Sequence, residues 1–197
     1  AQHVAELAAE GVISPETAAA HPALIIVGLV GSIDNDLVGT DMTIGADTAL
    51  HRILDAIDQL TSTAASHQRT FVVEVMGRHC GYLPLMAAVA GGADYVFTPE
   101  DPAGPGWQDD LAEHLRLGRE AGRRESIVLV AEGAHDRDGN ELSTQLIADT
   151  IQERTGEDAR VTILGHVQRG GTPSAYDRWM STLLGYAAVQ QILASTA

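Results

Sequence analysis

With 197 residues, 45% of them hydrophobic, the chain can bury a sizeable core and suits one domain or two small lobes. Its formal net charge of −15 argues against nucleic acid or an anionic membrane surface as a partner. No apolar run approaches the roughly 20 residues of a membrane span, no signal peptide is visible, and the single Cys80 predicts a reducing, cytoplasmic compartment.

The first third of the chain is predicted to be mostly helical. Residues 2–20 have helical character, with a new helix start at Ser14, a favoured capping residue. The β-branched run 24–27 is too short for a helix and predicts a buried strand. Apolar residues at helical spacing predict an amphipathic helix over 50–60, followed by a polar connector over 61–68.

From residue 71 onward, predicted strands and helices alternate. Strands are expected at 71–76, 95–97, 127–130 and 161–164. Helices are expected at 84–91, 109–120 and 144–155, with a last one from residue 176. This order is typical of an α/β fold with a parallel sheet and helices on both faces.

Polar segments follow four of the five predicted strands, at 31–36, 77–78, 132–133 and 165–171. Together these strand ends carry two Asp, one Glu, one His and two Arg. Because ligands of α/β sheets bind at the carboxyl ends of the strands, we expect these side chains to form one site.

Asp34 and Asp36 are the most informative pair, since strand spacing would project both carboxylates to the same side. Two like charges that close are unfavourable unless a metal, a proton or a cationic complex lies between them. One alternative is a turn in which Asp and Asn side chains cap backbone amides. Another is a metal-chelating pair like the Asp-x-Asp of nucleotide-sugar glycosyltransferases.

The other strand-end residues favour a phosphorylated ligand. Arg78 and Arg169 can bind phosphate bidentately, with His166 beside them. Glu132 follows an apolar strand and could accept sugar hydroxyls. The alternative is that each arginine pairs with a surface carboxylate. A phosphosugar or phosphate-ester enzyme is the interpretation these residues favour, with Asp34 as the base that deprotonates a hydroxyl nucleophile.

The same segments, in the same order, closely resemble the 6-phosphofructokinase family from about residue 24 to the end. The matching motifs are Gly-Ser-Ile-Asp-Asn-Asp (31–36), Gly-Thr-Asp-Met-Thr-Ile-Gly (39–45), Ser-His-Gln-Arg (66–69), Val-Met-Gly-Arg-His-Cys-Gly (75–81), Val-Ala-Glu-Gly (130–133) and Gly-His-Val-Gln-Arg-Gly-Gly-Thr-Pro-Ser (165–174). The preceding helical segment is similar to the eukaryotic long form.

The resemblance implies a phosphofructokinase-like fold and ATP-dependent phosphorylation of fructose 6-phosphate at its 1-hydroxyl, giving fructose 1,6-bisphosphate in glycolysis. Asp34 would be the general base. Ser32 and Ile33 would be flanking substrate-binding positions, with Ser32 also among the catalytic residues, and Asp36 would be the second acidic position.

The resemblance also implies a sugar-phosphate site. The segment that would hold the sugar near the transferring phosphoryl group comprises Met76, Gly77 and Arg78. Arg78 would steady the charge that develops there. Glu132 would bind sugar hydroxyls, and His166 and Arg169 would contact the 6-phosphate.

Two further arginines, Arg69 and Arg160, match positions that reach into a neighbouring subunit's site, which implies a homo-oligomer, commonly a tetramer. The resemblance divides the chain into a nucleotide-side lobe (1–45 and 168–197) and a sugar-phosphate lobe (46–167).

The phosphoryl donor is expected to be ATP with Mg²⁺, because pyrophosphate-using relatives usually carry lysine at the position of Gly31. The family's glycine-rich nucleotide segments, including Gly-Gly-Asp-Gly-Ser, lie upstream of where this chain begins. The nucleotide-side lobe is therefore expected to be incomplete, with no metal ligand within the chain. Two alternatives remain: a non-catalytic sugar-phosphate-binding or regulatory half, and a pyrophosphate-dependent relative.

Allosteric control is a further implication of the resemblance. Asp94 stands where bacterial members tend to have Glu, and Arg123 and Arg124 stand where those members have basic residues. The resemblance leaves the effector open.

Overall fold

The computed structural model describes residues 2–196 and divides into two compact units. The larger unit is Val30–Trp179, and the smaller consists of the described parts of Ala1–Leu29 and Met180–Ala197. Of the helices between residues 2 and 196, none has both the length and the apolar character needed to cross a membrane.

Residues 2–196 contain six strands, which all lie in the larger unit and pair in parallel. In chain order they are β1 (Gly31–Ser32), β2 (Ile44–Gly45), β3 (Thr70–Val75), β4 (Tyr95–Phe97), β5 (Ser126–Ala131) and β6 (Ala159–Ile163). β1 pairs only with β2, and the other four form a sheet in the order β4-β5-β3-β6. The four strands predicted after residue 71 and their parallel pairing are confirmed.

The part of the chain that the structure describes has seven α-helices: α1 (Gln2–Ala9), α2 (Pro15–Ala20), α3 (Ala46–His67), α4 (Tyr82–Gly91), α5 (Trp107–Glu120), α6 (Thr144–Thr155) and α7 (Ala175–Thr196). A 3₁₀ helix (Gly165–Arg169) follows β6. Ser14 and Ser143 cap α2 and α6 by accepting backbone N–H bonds, as capping serines do.

Helices cover both faces of the sheet, as predicted. Side chains alternate along a strand, so neighbouring residues of β3 enter different cores. Val72 packs in a cluster with residues of α5 and α6, including Leu111. Val73 packs in a second cluster with residues of α3 and α4, including Ile53 and Leu83. β5 is buried along its whole length, which explains its continuous apolar sequence.

Two sequence predictions are wrong. Residues 24–27 form no strand, and the side chains of Leu24 and Ile26 are 60% and 79% exposed. An apolar run becomes a strand only where another strand offers hydrogen-bonding partners, and none within residues 2–196 does so here. Residues 61–68 are not a connector, because α3 continues to His67. Hydroxyls such as that of Thr61, which donates 2.9 Å to the Ile57 carbonyl, are satisfied within the helix.

A buried carboxylate joins the start of α7 to the start of α3. Asp177, 3% exposed, accepts hydrogen bonds from the backbone N–H groups of Gly45 and Thr48 at 2.8 and 2.9 Å, and from the Thr48 hydroxyl. Ser174 donates to Asp47 at 2.5 Å and accepts from the Asp177 N–H. A negative charge at a helix N-terminus satisfies donors that the helix cannot.

Asp177→Ala should therefore lower the free energy of unfolding by about 2 kcal/mol, because the part-buried N–H groups of Gly45 and Thr48 lose their acceptor. Urea unfolding of the protein measures this change. The control is Asp149→Ala, which removes an exposed aspartate of α6 that accepts a hydrogen bond from the Gln145 side chain. Its free energy of unfolding should stay within about 0.5 kcal/mol of the wild-type value. Equal losses in the two variants would contradict the capping role.

Candidate functional site

The loop that carries Asp34 is held by its own polar side chains. The Asp34 N–H donates to the Ser32 hydroxyl at 3.2 Å, and that hydroxyl lies 3.4 Å from an Asp36 carboxylate oxygen. The fully buried Thr43 donates from its hydroxyl to the Ser32 carbonyl at 2.6 Å, and from its N–H to the Asn35 side chain at 2.8 Å. These bonds fix the backbone on which Asp34 sits.

This geometry corrects one expectation about the loop. β1 ends at Ser32, and Asn35 has a left-handed φ of +55°. Asp34 and Asp36 are therefore placed by a turn, not by strand alternation, as in the alternative with capping side chains. Ile33 is half-buried and packs against the core on the α3 and α4 side of the sheet.

The segment after β3, residues 76–78, is bonded on both sides. The Met76 N–H donates to Gln168 Oε1 at 3.1 Å, and the Arg78 N–H donates to Glu132 Oε2 at 3.2 Å. Gly77 is buried with φ +154°, and a Cβ there would collide with the Cys80 carbonyl oxygen. This position requires glycine.

A second glycine allows the β5 end to approach this segment closely. A Cβ on Gly133 would collide with the Arg78 carbonyl oxygen. Arg78 itself has a left-handed φ of +55°, which is uncommon for a non-glycine residue and is often found at functional sites. Its side chain is exposed and available to a ligand.

Charged side chains from the Asp34 loop itself and from three other segments act on the Asp34 carboxyl. Burial, chiefly, and the neighbouring charge of Asp36 raise the pKa of the Asp34 carboxyl. Glu132 raises that pKa further, whereas Arg169 and Arg78 lower it. Two acidic and two basic side chains therefore act electrostatically on one partly buried carboxylate.

His166 and Arg169 extend from the 3₁₀ helix that follows β6, and both side chains are exposed. The charge of Arg169 acts on the Asp34 carboxyl and lowers its pKa. Met76 is half-buried at the end of β3.

Arg69 and Arg160 lie away from this group, at the amino end of the sheet. Arg69 precedes β3, and Arg160 pairs in register with Phe71. Both arginines bond to the same carboxylate oxygen of Asp158, at 2.7 and 3.0 Å. With β3 running about 3.3 Å per residue, these arginines cannot contact a ligand bound beside Asp34 in the same chain.

No group of three His, Cys, Asp or Glu side chains within residues 2–196 is arranged to hold a metal ion. Arg78 and Arg169 place positive charge near the carboxylates that act on Asp34. These residues by themselves therefore do not form a cation-binding site. The roles of Mg²⁺ and ATP stay predictions.

The effector residues predicted from the sequence lie close together in the structure. Asp94 is paired with Arg123 and also accepts a hydrogen bond from the Ile127 N–H at 2.9 Å. Arg123 and Arg124 line a cavity of about 390 Å³ together with Arg119 and Glu157. Effector binding stays a prediction.

Three residues of this region were not identified from the sequence as site residues: Thr43, Gln168 and Asp177. Thr43 and Gln168 lie within motifs that the sequence does show. Their importance comes from burial combined with hydrogen bonds to distant backbone, and a linear sequence carries no signal for that combination.

Comparison with known proteins gives a consistent result. The family model described as Phosphofructokinase matches residues 2–192. The chain is 56% identical over 191 residues to the liver-type ATP-dependent 6-phosphofructokinase of Homo sapiens, which covers 97% of this chain and 24% of that protein. It therefore spans about a quarter of the length of this relative.

Solved structures give the same picture. Phosphofructokinase from Saccharomyces cerevisiae superposes with a TM-score of 0.93 at 53% identity, covering 96% of this chain and 26% of that one. A pyrophosphate-dependent phosphofructokinase from Marinobacter aquaeolei has a TM-score of 0.77 at 23% identity, covering 91% of this chain and 47% of that one. At that identity the second likeness shows the fold alone.

Asp34→Asn should raise the free energy of unfolding near neutral pH. The pKa of Asp34 is raised in the folded protein, so the folded state binds the proton more tightly and its ionised form is disfavoured. The gain should fade as the pH falls below the ordinary aspartate value of about 3.9, where folded and unfolded carboxyls are both protonated. Urea unfolding at a series of pH values measures it.

Asp58→Asn is the matched control, since it removes the same charge from an exposed position of α3. A gain that is identical in the two variants would mean that only net charge matters. A loss of stability in Asp34→Asn at neutral pH would contradict the burial of the Asp34 charge.

Proposed function

The chain belongs to the phosphofructokinase family, and from that premise we propose that it carries the fructose 6-phosphate side of an ATP-dependent 6-phosphofructokinase site. The observation that carries this proposal is the convergence of Arg78, Glu132 and Arg169 on one partly buried aspartate, Asp34. Together with Asp34, these residues come from four segments of the chain. A purely structural role for the carboxylate would not need the charges of both arginines.

Asp34 is proposed as the general base. It takes the proton from the 1-hydroxyl as that oxygen attacks the γ-phosphoryl group, which ATP supplies when bound. A raised pKa suits this role, because a base is most effective when its pKa approaches the working pH. The turn formed by Ser32, Thr43 and Asn35 holds the carboxylate in place, and Asp36 keeps a second negative charge close by.

The remaining side chains are proposed to bind the sugar phosphate. Arg169 and His166 hold the 6-phosphate, with Arg169 contributing the planar fork that matches a phosphate. Glu132 accepts sugar hydroxyls through the oxygen lone pairs left over from its bond to the Arg78 N–H. Arg78 faces the developing negative charge of the transferring group. Met76 and Gly77 form the wall behind the sugar.

We propose that ATP is the phosphoryl donor. The reaction would then be the formation of fructose 1,6-bisphosphate in glycolysis. The 56% identical relative is named as ATP-dependent. Gly31 is exposed, and a Cβ there would meet no atom of the described chain, so packing does not require glycine at this position. A lysine would fit, and its absence supports ATP over pyrophosphate.

We also propose that the protein assembles as a homo-oligomer, with a tetramer expected. Arg69 and Arg160 are placed at the amino end of the sheet and stay 34% and 55% exposed while they share Asp158. From there they can serve a neighbouring chain's site but not their own. We further propose that the chain is divided into the family's two lobes, 1–45 with 168–197 and 46–167.

A sugar-phosphate-binding role without catalysis is the second candidate. Turnover of fructose 6-phosphate by the wild-type protein separates the two candidates.

In the complete protein, Asp34→Ala should lower kcat by about 10²–10⁴-fold while fructose 6-phosphate still binds, because a positioned base contributes that much. A coupled assay and calorimetry measure the two effects. Asp58→Ala should leave both unchanged. Unchanged turnover in Asp34→Ala would discard the base, and wild-type protein that binds the sugar phosphate without turnover would favour the binding role.

Mixing two inactive variants tests the subunit arrangement. Arg160→Ala and Asp34→Ala, refolded or expressed together, should regain part of the activity, because an intact Asp34 site in one chain receives Arg160 from the other. A mixture of Asp34→Ala with Asp34→Ala/Arg160→Ala is the control and should stay inactive. No recovery in hybrid oligomers would place Arg160 in its own chain's site or outside catalysis.

A further inference from the structure

We propose that Gln168 is a positioning residue for this site: its side chain holds the phosphate-binding 3₁₀ helix at a fixed distance from the segment 76–78. The inference rests on the proposed function and deepens it, since it names what sets the spacing between the two halves of the sugar-phosphate site.

Gln168 is the only buried residue of the five in the 3₁₀ helix Gly165–Arg169, and it is 1% exposed. A 3₁₀ helix has poor internal hydrogen-bond geometry and is short, so external contacts must hold it. His166 and Arg169 project outward from the same helix. Gln168 is therefore the residue that anchors this helix to the body of the protein.

Both ends of the Gln168 amide are used. Its Oε1 accepts from the Met76 N–H at 3.1 Å, and its Nε2 donates to the Gly165 carbonyl at 2.9 Å. An N–H donor on one side and a carbonyl acceptor on the other determine which way the amide points. An apolar side chain of equal size would remove these partners from the part-buried Met76 N–H and Gly165 carbonyl.

The bond to Met76 has a counterpart on the other side of β3. Because β3 lies between β5 and β6, the segment 76–78 has a neighbour on each flank. Glu132, after β5, accepts from the Arg78 N–H, and Gln168, after β6, accepts from the Met76 N–H. Glu132 is exposed to a ligand, whereas Gln168 is not. Gln168 therefore acts on the substrate only through the segments that it joins.

The test is Gln168→Met in the complete protein, which keeps the side-chain length and removes both bonds. The Michaelis constant for fructose 6-phosphate should rise by between about 10-fold and 100-fold, as small misplacements of binding groups do. The Michaelis constant for ATP should stay within about twofold of the wild-type value, because the substitution weakens the binding of fructose 6-phosphate alone. Hydrogen exchange at the Met76 amide should accelerate.

Two controls separate positioning from general destabilisation. Gln145→Met makes the same chemical change at an exposed site of α6 and should alter neither constant. Ile147→Val weakens the buried core on the α5 and α6 face of the sheet. It should lower the melting temperature without changing a residue of the site. If Gln168→Met does not fold, Gln168→Asn keeps an amide that is one methylene too short to reach both partners.

Three outcomes would overturn the inference. One is an unchanged Michaelis constant for fructose 6-phosphate in a folded variant, and another is an equal rise for Ile147→Val. The third is wild-type protein that does not turn over fructose 6-phosphate, which overturns the proposed function and this inference together. Active wild type with an unaffected Gln168→Met overturns this inference alone.

Discussion

The candidate site depends on the parallel pairing of β3 with β5 on one side and β6 on the other. In this register Val75 pairs with Ala131 and Glu74 pairs with Ile163. All three strands therefore end at one edge, and the residues that follow them meet there. Because β3 is an inner strand with a neighbour on each side, side chains can hold the segment after it from both flanks. A shift of register by two residues would separate the same residues by about 7 Å.

The site concentrates charge in a way that opposes folding. Asp34 is partly removed from water and lies near Asp36 and Glu132, and Arg78 and Arg169 offset only part of that repulsion. Glu74 shows the same effect nearby: burial first, and then the charges of Glu132 and Glu141, raise its pKa. Strain at the Arg78 backbone adds to this. Such an arrangement is unfavourable while all three carboxylates are ionised, and protonation of Asp34 relieves the repulsion.

The four arginines predicted as site residues lie in pairs at opposite ends of the sheet. Those at the carboxyl end act on Asp34, and those at the amino end share the single carboxylate of Asp158. In an acidic protein, each of these two arginine pairs therefore lies close to carboxylates. The amino-end pair keeps donor capacity that Asp158 alone does not use, which supports a role towards a second chain.

The sequence by itself determined the alternation of strands and helices after residue 71, their parallel pairing and the positions of the polar segments that follow the strands, because hydrophobic periodicity and capping residues are local signals. It misplaced a strand at 24–27 and ended α3 too early, because strand pairing depends on a partner and polar helical residues depend on their neighbours. Only the tertiary structure decided that Asn35 turns the Asp34 loop, that Arg69 and Arg160 lie apart from Asp34, and that Gln168 is buried between two backbone segments. The reason is that these features are contacts between residues far apart in the chain, and their energies exist only once the sheet has formed.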